Sequence, residues 1–128
     1  MKISFVKLDN LKQHEQIEQK HLNELLEKIK KDGIWTHPIV IDEKNNIILD
    51  GHHRFNVARK LGLDKIPAYF VNYLQNNIKV LARRKNINVS KEKIIATVKA
   101  KKLFPPKTTR HVFDFNLKNI SVPLAKLK

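Results

Sequence analysis

The sequence predicts a small domain of mixed α/β or α+β class, and two features of the chain lead to that expectation. Apolar residues recur at helical spacing in three segments, and short apolar runs bounded by turn residues lie between those segments. With 128 residues, of which 41% are hydrophobic, the chain can build one core but has no room for a second large domain. We therefore expect a single domain over residues 1–128, with strands and helices in mixed order.

The first predicted elements are a strand and a helix. The apolar run at residues 3–8 is typical of a short strand. A helix is predicted over residues 18–31, because four aliphatic residues give it one apolar stripe: Leu22, Leu25, Leu26 and Ile29. Asp32 and Gly33 then end it, since a left-handed glycine closes many helices.

The middle of the chain is predicted to continue as two strands, a helix and a strand. Apolar runs at 38–41 and 46–49 flank a polar turn and predict a hairpin or a close pair of buried strands. Helical spacing returns over residues 52–61 and ends at Gly62. Another strand-like run covers residues 66–73.

The last part of the chain combines a basic segment with an apolar tail. Residues 79–104 form a basic connecting segment that contains one helix, with Ser90 as its N-cap and an end near Lys102. The tail over residues 111–128 carries scattered apolar side chains. We expect it to pack back onto the core as an extended segment.

Positive charge is concentrated in one stretch of this chain. The net charge is +14, and residues 79–111 contain a single acid, Glu92. The basic residues of that stretch are Lys79, Arg83, Arg84, Lys85, Lys91, Lys93, Lys99, Lys101, Lys102, Lys107 and Arg110. Such a stretch attracts polyanions, which leaves open a nucleic acid backbone, a nucleotide or another phosphorylated ligand.

Composition excludes several functional classes. The chain has no cysteine, so disulfides, thiolate zinc sites and cysteine nucleophiles are ruled out. No run approaches the roughly 20 apolar residues that cross a bilayer, and the N-terminal segment lacks the apolar region of a secretion signal. We therefore expect a soluble cytoplasmic protein without a membrane partner. With only three glycines, phosphates would have to be held by side chains and a helix N-terminus.

The segment from Asp50 to Arg54 is the most informative for chemistry. A buried strand brings an acid, a glycine, two imidazoles and a guanidinium to the first turn of a helix. Gly51 permits close approach of a ligand, and the helix N–H groups with Arg54 suit a phosphate. Asp50 could hold a cation or orient a hydroxyl. The alternatives are an Asp50 N-cap beside surface histidines, or a metal site on His52 and His53, whose adjacent side chains diverge on a helix.

Two further segments carry chemically useful side chains. Residues 107–110 present lysine, two hydroxyls and arginine after a pair of prolines, which suits a chain of phosphates but also a solvated basic loop. His14 and Glu15 precede the first helix. A carboxylate near a phosphate site can act as a general base, although a glutamate at this position also suits the helix dipole.

Together these segments resemble the free L-serine kinases of the ParB/sulfiredoxin superfamily. The resemblance runs nearly end to end, through His14-Glu15, the DGHHR motif at 50–54, the PKTTRH loop at 106–111 and the ISVPL segment at 120–124. It implies a ParB/sulfiredoxin-like fold. It also implies transfer of the terminal phosphate of a nucleotide to free L-serine, giving O-phosphoserine. The donor, ATP or ADP, is left open by the resemblance, and ATP is favoured because the chain lacks a large insertion found in the long members of the family. Mg²⁺ would bind through the nucleotide phosphates, with Asp50 as its candidate protein ligand.

The resemblance also assigns roles to individual residues. Glu15 would be the catalytic base, and Asp50 would position the serine hydroxyl and the magnesium–phosphate group. The residues that would hold the nucleotide phosphates are Gly51, His52, His53, Arg54, Lys107, Thr108, Thr109, Arg110 and His111. The residues that would contact serine are Asp50, His53, Thr108 and Arg110. Trp35, the only tryptophan, is a further candidate for the wall of this pocket, and its alternative is a core or hinge residue.

The chain departs from the long archaeal members of that family in two ways. Those members carry a large insertion between strand 66–73 and the PKTTRH loop, whereas only residues 74–105 connect them here. Residues 82–84 stand where they place a tryptophan near the amino-acid pocket. Sulfiredoxin activity requires a cysteine and is excluded.

Two other functional classes remain as alternatives. One is a ParB-like DNA-binding or regulatory protein, in which the helix at 90–102 would contact DNA. Such proteins need a separate helix-turn-helix region, for which too few residues remain after residue 88. The other is a nucleotide sensor without turnover, in which Glu15 would be dispensable. Nucleic acid is thus an unfavoured partner, and the oligomeric state is left open.

Overall fold

The computed structural model describes residues 2–128, which form a mixed sheet, two small ribbons and three α-helices. Strands β1 to β8 span Ile3–Lys7, Ile34–Trp35, Ile39–Asp42, Ile48–Asp50, Lys65–Val71, Ile78–Ala82, Thr109–Phe113 and Val122–Pro123. Helices α1 to α3 span Gln19–Asp32, His52–Lys60 and Lys91–Lys99. The predicted mixed fold class is confirmed.

The main sheet has the strand order β1-β5-β3-β4. The β1–β5 and β3–β4 pairs are antiparallel, and β3 runs parallel to β5. Both faces of the sheet are covered, which explains why every residue of β3 is buried and why its first three, residues 39–41, are all apolar. Ile39 and Ile41 belong to one core cluster and Val40 to the other, as the two-residue period of a strand requires.

The two core clusters lie on opposite faces of this sheet. The first packs against α1 and α2 and includes Leu22, Val57 and Leu127, near the C-terminus. The second includes Ile78 of β6 and Ile94 of α3. The tail therefore packs back onto the core as expected, although only residues 111–113, at the end of β7, and β8 are strand, and a 3₁₀ turn, Leu124–Leu127, follows β8.

The segment over residues 79–104 was expected to be a connection, and that expectation is wrong at its start. Residues 78–82 form β6, which pairs antiparallel with β7 to make a two-stranded ribbon. Its inward residue Ile78 is buried, whereas Lys79 and Leu81 are exposed, and the basic charge concealed this alternation. Part of the predicted PKTTRH loop is also strand, because β7 begins at Thr109.

Helix ends differ from the sequence expectation by a few residues. Helix α3 begins after the predicted N-cap Ser90, whose side chain accepts a hydrogen bond from the Lys93 amide. It ends at Lys99 rather than near Lys102, because Lys101 adopts a left-handed backbone with φ 56°.

Within residues 2–128, no helix combines the length and apolar character needed to span a membrane.

Candidate functional site

A cleft of about 640 Å³ opens where the end of β4 and the start of α2 face the β6–β7 ribbon. Of the twelve residues predicted for the site, ten line this cleft: Glu15, Asp50, Gly51, His52, His53, Arg54, Lys107, Thr109, Arg110 and His111. The motifs from three distant parts of the chain therefore meet at one surface.

The main chain around Glu15 is attached directly to the segment that precedes the PKTTRH loop. The Phe104 amide donates to the His14 carbonyl at 2.8 Å, and the Gln16 amide donates to the Phe104 carbonyl at 2.8 Å. These two bonds form a parallel bridge between Glu15 and Phe104. Because the bridge aligns the two segments, the Glu15 side chain reaches the loop that follows.

The carboxylate of Glu15 has two very different oxygens. Oε1 accepts three hydrogen bonds, from the Thr108 amide at 3.1 Å, the Thr109 amide at 2.8 Å and the Thr109 hydroxyl at 2.8 Å. Oε2 has no protein partner within residues 2–128, and Glu15 lines the cleft although it is only 8% exposed. The carboxylate is therefore held through one oxygen, and the other remains available to a ligand.

The buried His14 and His52 and the partly buried His111 form a cluster beside this carboxylate. The His14 ring lies edge-on to His52, with centroids 4.4 Å apart, and to His111 at 5.7 Å. The His14 amide donates to His52 Nε2 at 3.2 Å, and the Tyr73 hydroxyl lies 2.8 Å from His111 Nε2. Burial lowers the pKa of His14 to about 3 and that of His111 to about 4. The cluster is therefore neutral near pH 7.

His52 contributes to the cleft differently from the expectation. Because its Nε2 accepts the His14 amide, its ring proton resides on Nδ1. Burial, reinforced by the neighbouring histidine charges, lowers the pKa of His52 well below its usual value. A neutral ring with one occupied nitrogen can offer a ligand only its Nδ1–H group.

Asp50, Gly51 and Arg54 form the opposite wall of the cleft. Arg54 donates to the carbonyls of His37 at 3.1 Å and Pro38 at 2.8 Å, and to Asp50 Oδ2 at 3.0 Å. It therefore connects the start of α2 to the segment before β3. The helix N-cap is Gly51, with φ 106° and no side-chain cap, so the alternative of an Asp50 N-cap is wrong. The first-turn amides of α2 remain available to an anion.

His53 and Lys107 each have a protein partner at the residue that caps α1. The Glu18 amide donates to His53 Nε2 at 2.9 Å, and the Glu18 carboxylate lies 3.2 Å from Lys107 Nζ. His53 also stacks on His21, with ring centroids 4.1 Å apart. Burial is the main cause that lowers the pKa of His53, so its ring is neutral near pH 7.

Two predicted site residues lie outside the cleft lining. Trp35 is 1% exposed in the core, and its Nε1–H donates to the His37 carbonyl at 2.8 Å. Thr108 is fully buried, and its hydroxyl donates to the Pro105 carbonyl at 2.7 Å. Their side chains therefore lie behind the surface of the cleft, and the serine and phosphate contacts expected for them stay predictions.

The cleft also contains residues that the motifs did not indicate: His21, Leu25, His37, Leu49 and Arg83. Arg83 follows β6, and its amide donates to the Thr108 carbonyl at 2.8 Å. Within residues 2–128, Arg83 and Arg110 have no acidic partner, unlike Arg54 and Lys107. Arg83 belongs to the basic run at 79–111, but nothing in the sequence distinguished it from the ten other basic residues of that run.

A protein-built metal cage does not fit these residues. Within the described chain, residues 2–128, no group of three or more His, Asp or Glu side chains is arranged to hold a metal ion. Asp50 is half exposed in the cleft, and its Oδ1 has no protein partner in that range. A single carboxylate beside a phosphate site suits Mg²⁺ that arrives with a nucleotide, because Mg²⁺ keeps waters and phosphate oxygens as ligands.

Comparison with known proteins finds L-serine kinases among the relatives. The chain is 35% identical over 80 residues to the ADP-dependent L-serine kinase of Thermococcus kodakarensis, covering 59% of this chain and 33% of that protein. It is 34% identical over 79 residues to the ATP-dependent L-serine kinase of Staphylothermus marinus, covering 59% and 31%. The chain thus matches about a third of the length of these curated relatives. The resemblance predicted from the motifs is confirmed.

The fold has close counterparts among solved structures. A free serine kinase in complex with AMP superposes with a TM-score of 0.89 at 20% identity, covering 98% of this chain and 93% of that chain. The family model of the ParB N-terminal domain matches residues 1–87, which include β1 to β6 and both helices that frame the cleft. The chain therefore belongs to the ParB N-terminal domain family.

Proposed function

We propose that this protein is a free L-serine kinase that transfers the terminal phosphate of a nucleotide to the serine hydroxyl. The observation that carries the proposal is the state of Glu15, whose Oε1 is held by three donors while Oε2 remains free in a cation-rich cleft. A fixed carboxylate beside phosphate-binding groups is the arrangement that activates a hydroxyl for phosphoryl transfer. The L-serine kinases among its relatives support serine as the acceptor.

The chemistry follows from the positions of the side chains. The serine oxygen attacks the terminal phosphorus while its proton passes to Glu15 Oε2. The new O–P bond forms as the bond between that phosphorus and its bridging oxygen breaks, and the shortened nucleotide leaves with the bonding electron pair. Asp50, on the opposite wall of the cleft, would help to position the serine and the magnesium–phosphate group, while the single hydroxyl proton is directed to Glu15. Fixing these partners in line supplies most of the rate enhancement such a reaction needs.

The negative charge of the nucleotide is balanced by groups around the cleft. The first-turn amides of α2 lie next to Gly51. A Cβ at position 51 would overlap the side chain of Ile39, so the glycine is needed there. Arg83 and Arg110 approach from the ribbon and have no acidic partner within residues 2–128. When bound, Mg²⁺ would neutralise phosphate charge, with Asp50 Oδ1 as its protein ligand. Together these groups stabilise the charge that spreads over the transferred group.

ATP is the proposed donor, with ADP as the second nucleotide to be tested. The relatives include enzymes named for either nucleotide, so the donor has to be measured for this chain. The cleft, at about 640 Å³, falls within the size range of cofactor and ligand sites.

The test is direct. Purified protein is incubated with L-serine, Mg²⁺ and either ATP or ADP, and O-phosphoserine is measured by mass spectrometry. Glu15→Gln should lower kcat by about 10²–10⁴-fold, the usual contribution of a general base. It should keep the fold, since the glutamine carbonyl can accept the same three donors. Glu24→Gln, an exposed change on α1, is the matched control and should retain full activity.

The outcomes separate the functional classes. Absence of O-phosphoserine with both nucleotides would contradict the kinase proposal. Nucleotide binding without consumption would identify a sensor instead. Tight DNA binding that weakens steeply with salt would favour the ParB-like alternative.

A further inference from the structure

The hydroxyl of Thr109 links two groups that are far apart in the sequence. Its Oγ1 lies 2.8 Å from Glu15 Oε1 and 3.0 Å from His14 Nε2. A carboxylate can only accept, so the single hydroxyl hydrogen of Thr109 points to Glu15. His14 must therefore donate its own Nε2–H to Thr109. The result is one directed chain of hydrogen bonds, from His14 through Thr109 to Glu15.

The position of His14 is fixed on both sides. Its side chain is fully buried, and its backbone amide donates to His52 Nε2 at 3.2 Å. Charged and neutral groups face it from several elements: Glu15 on its own segment, His52 from α2, and Thr109 and His111 from β7. Since burial keeps the pKa of His14 far below neutrality, it acts as a neutral donor in this chain.

We propose that His14 and Thr109 are positioning residues that hold the Glu15 carboxylate with Oε2 directed to the acceptor hydroxyl. This inference rests on the proposed function. It changes the role expected for Thr109, from a phosphate ligand to a support for the base. The reason is geometric: the Thr109 hydroxyl already has one acceptor and one donor within the protein, which leaves it one lone pair and no hydrogen for a phosphate.

The proposal makes a specific kinetic prediction. Without the Thr109 hydroxyl, two backbone donors still hold Oε1, but the carboxylate loses the donor that is set by His14. A hydrogen bond to a charged group contributes enough that kcat should fall by about 10- to 100-fold. The KM for serine and the nucleotide Kd should stay within about twofold, because no substrate contact is lost.

The experiment compares Thr109→Val with Thr109→Ser in the serine kinase assay. Valine keeps the volume but removes the hydroxyl, whereas serine restores it and should recover kcat to within about threefold. Thr97→Val is the matched control, because the Thr97 hydroxyl bonds the Lys93 carbonyl within α3 and lies outside the cleft. Weaker nucleotide binding with unchanged kcat in Thr109→Val would overturn the proposal in favour of a phosphate ligand.

A second measurement is independent of turnover. In ¹⁵N NMR spectra of the wild-type protein near pH 7, the His14 ring should be protonated at Nε2, and Thr109→Val should lose this fixed tautomer. A wild-type His14 protonated at Nδ1 would overturn the hydrogen-bond chain even if the enzyme is active. Absence of O-phosphoserine from wild type would instead overturn the proposed function, and with it the catalytic meaning of the chain.

Discussion

Glu15 and Thr109 are 94 positions apart in the sequence, yet the Glu15 Oε1 atom lies 2.8 Å from the Thr109 hydroxyl. The Thr109 amide reaches the same oxygen at 2.8 Å, so one residue supplies two of its three donors. This contact joins the segment before α1 to the start of β7. It makes the buried carboxylate part of the ribbon that also presents Arg110 to the cleft.

Substitution of Gly51 should destabilise the fold more than substitution of Gly62. Both glycines have positive φ, at 106° and 69°, but a Cβ at Gly51 would lie 2.9 Å from Ile39 Cβ, whereas Gly62 has nothing within 4 Å. Gly62→Ala should therefore cost about 1 kcal/mol of unfolding free energy from backbone strain alone. Gly51→Ala should cost about 1–3 kcal/mol more, because it also overpacks the core. Urea unfolding measures both, and equal losses would argue against the clash at Gly51.

The buried histidines should make stability depend on pH. Burial lowers the pKa of His14 to about 3 and of His111 to about 4, below the value of about 6.5 in the unfolded chain. Between these values the unfolded state binds more protons, so the free energy of unfolding rises with pH. The contribution of these histidines to the free energy of unfolding should be fully present above pH 6.5. It should decline as pH falls toward 4, by up to about 1.4 kcal/mol per pH unit for each histidine.

Urea titrations at several pH values test this dependence. Thr97→Val is the control and should leave the slope unchanged, since its side chain does not titrate and lies in α3, outside the histidine cluster. A pH-independent stability between 4 and 6.5 would contradict the burial of neutral histidines.

Arg83 should contribute to nucleotide binding. It lines the cleft and has no acidic partner within residues 2–128, so its guanidinium is free to pair with a phosphate. Arg83→Ala should weaken nucleotide affinity by about tenfold, the effect of losing one charge-assisted hydrogen bond. A titration with a fluorescent nucleotide analogue measures this, and raising the salt concentration should reduce the difference from wild type.

The matched control for Arg83 is Lys60→Ala. Lys60 is an exposed cation at the end of α2, and it does not line the cleft. An equal loss of affinity in both variants would mean that only net charge matters, and would contradict a specific role for Arg83.

Trp35→Phe should reduce stability without changing the KM for serine. Trp35 is 1% exposed, and its indole N–H donates to the His37 carbonyl, which also accepts a hydrogen bond from Arg54. Loss of this bond and of part of the buried ring should cost about 1–3 kcal/mol in the free energy of unfolding. Thermal unfolding and serine kinetics check the two halves of the prediction. A raised KM at unchanged stability would restore the expected serine contact.

The sequence predicted those elements of the fold whose signal comes from residues that are neighbours in the chain. Helices α1 and α2 match their expected ranges closely, because an apolar stripe at helical spacing reflects packing of one face. Strand β6 was missed because its buried residues alternate with a lysine and an exposed leucine inside a basic run. Its pairing with β7, in which Val80 lies opposite His111 at a separation of 31 residues, is a non-local event without a signal in its own residues.

For the site, the sequence likewise identified the chemical groups but not the surroundings of every side chain. The motifs named Glu15, Asp50 and Arg110 as parts of one site, and all three line one cleft. Their roles in catalysis stay predictions until the assays are done. The motifs could not indicate that Trp35 faces the core, since a single tryptophan suits either a pocket wall or a core.

The sequence alone determined the helices, the buried strands and the chemical groups available to the cleft, because spacing and residue type act over a few neighbouring positions. Only the tertiary structure decided which oxygen of Glu15 is held, that His14 Nε2 lies beside the Thr109 hydroxyl, and which arginines lack an acidic partner within residues 2–128. These properties arise from contacts between residues up to 95 positions apart. A hydrogen bond at that separation depends on distance and direction in the folded chain, and neither is written in the local sequence.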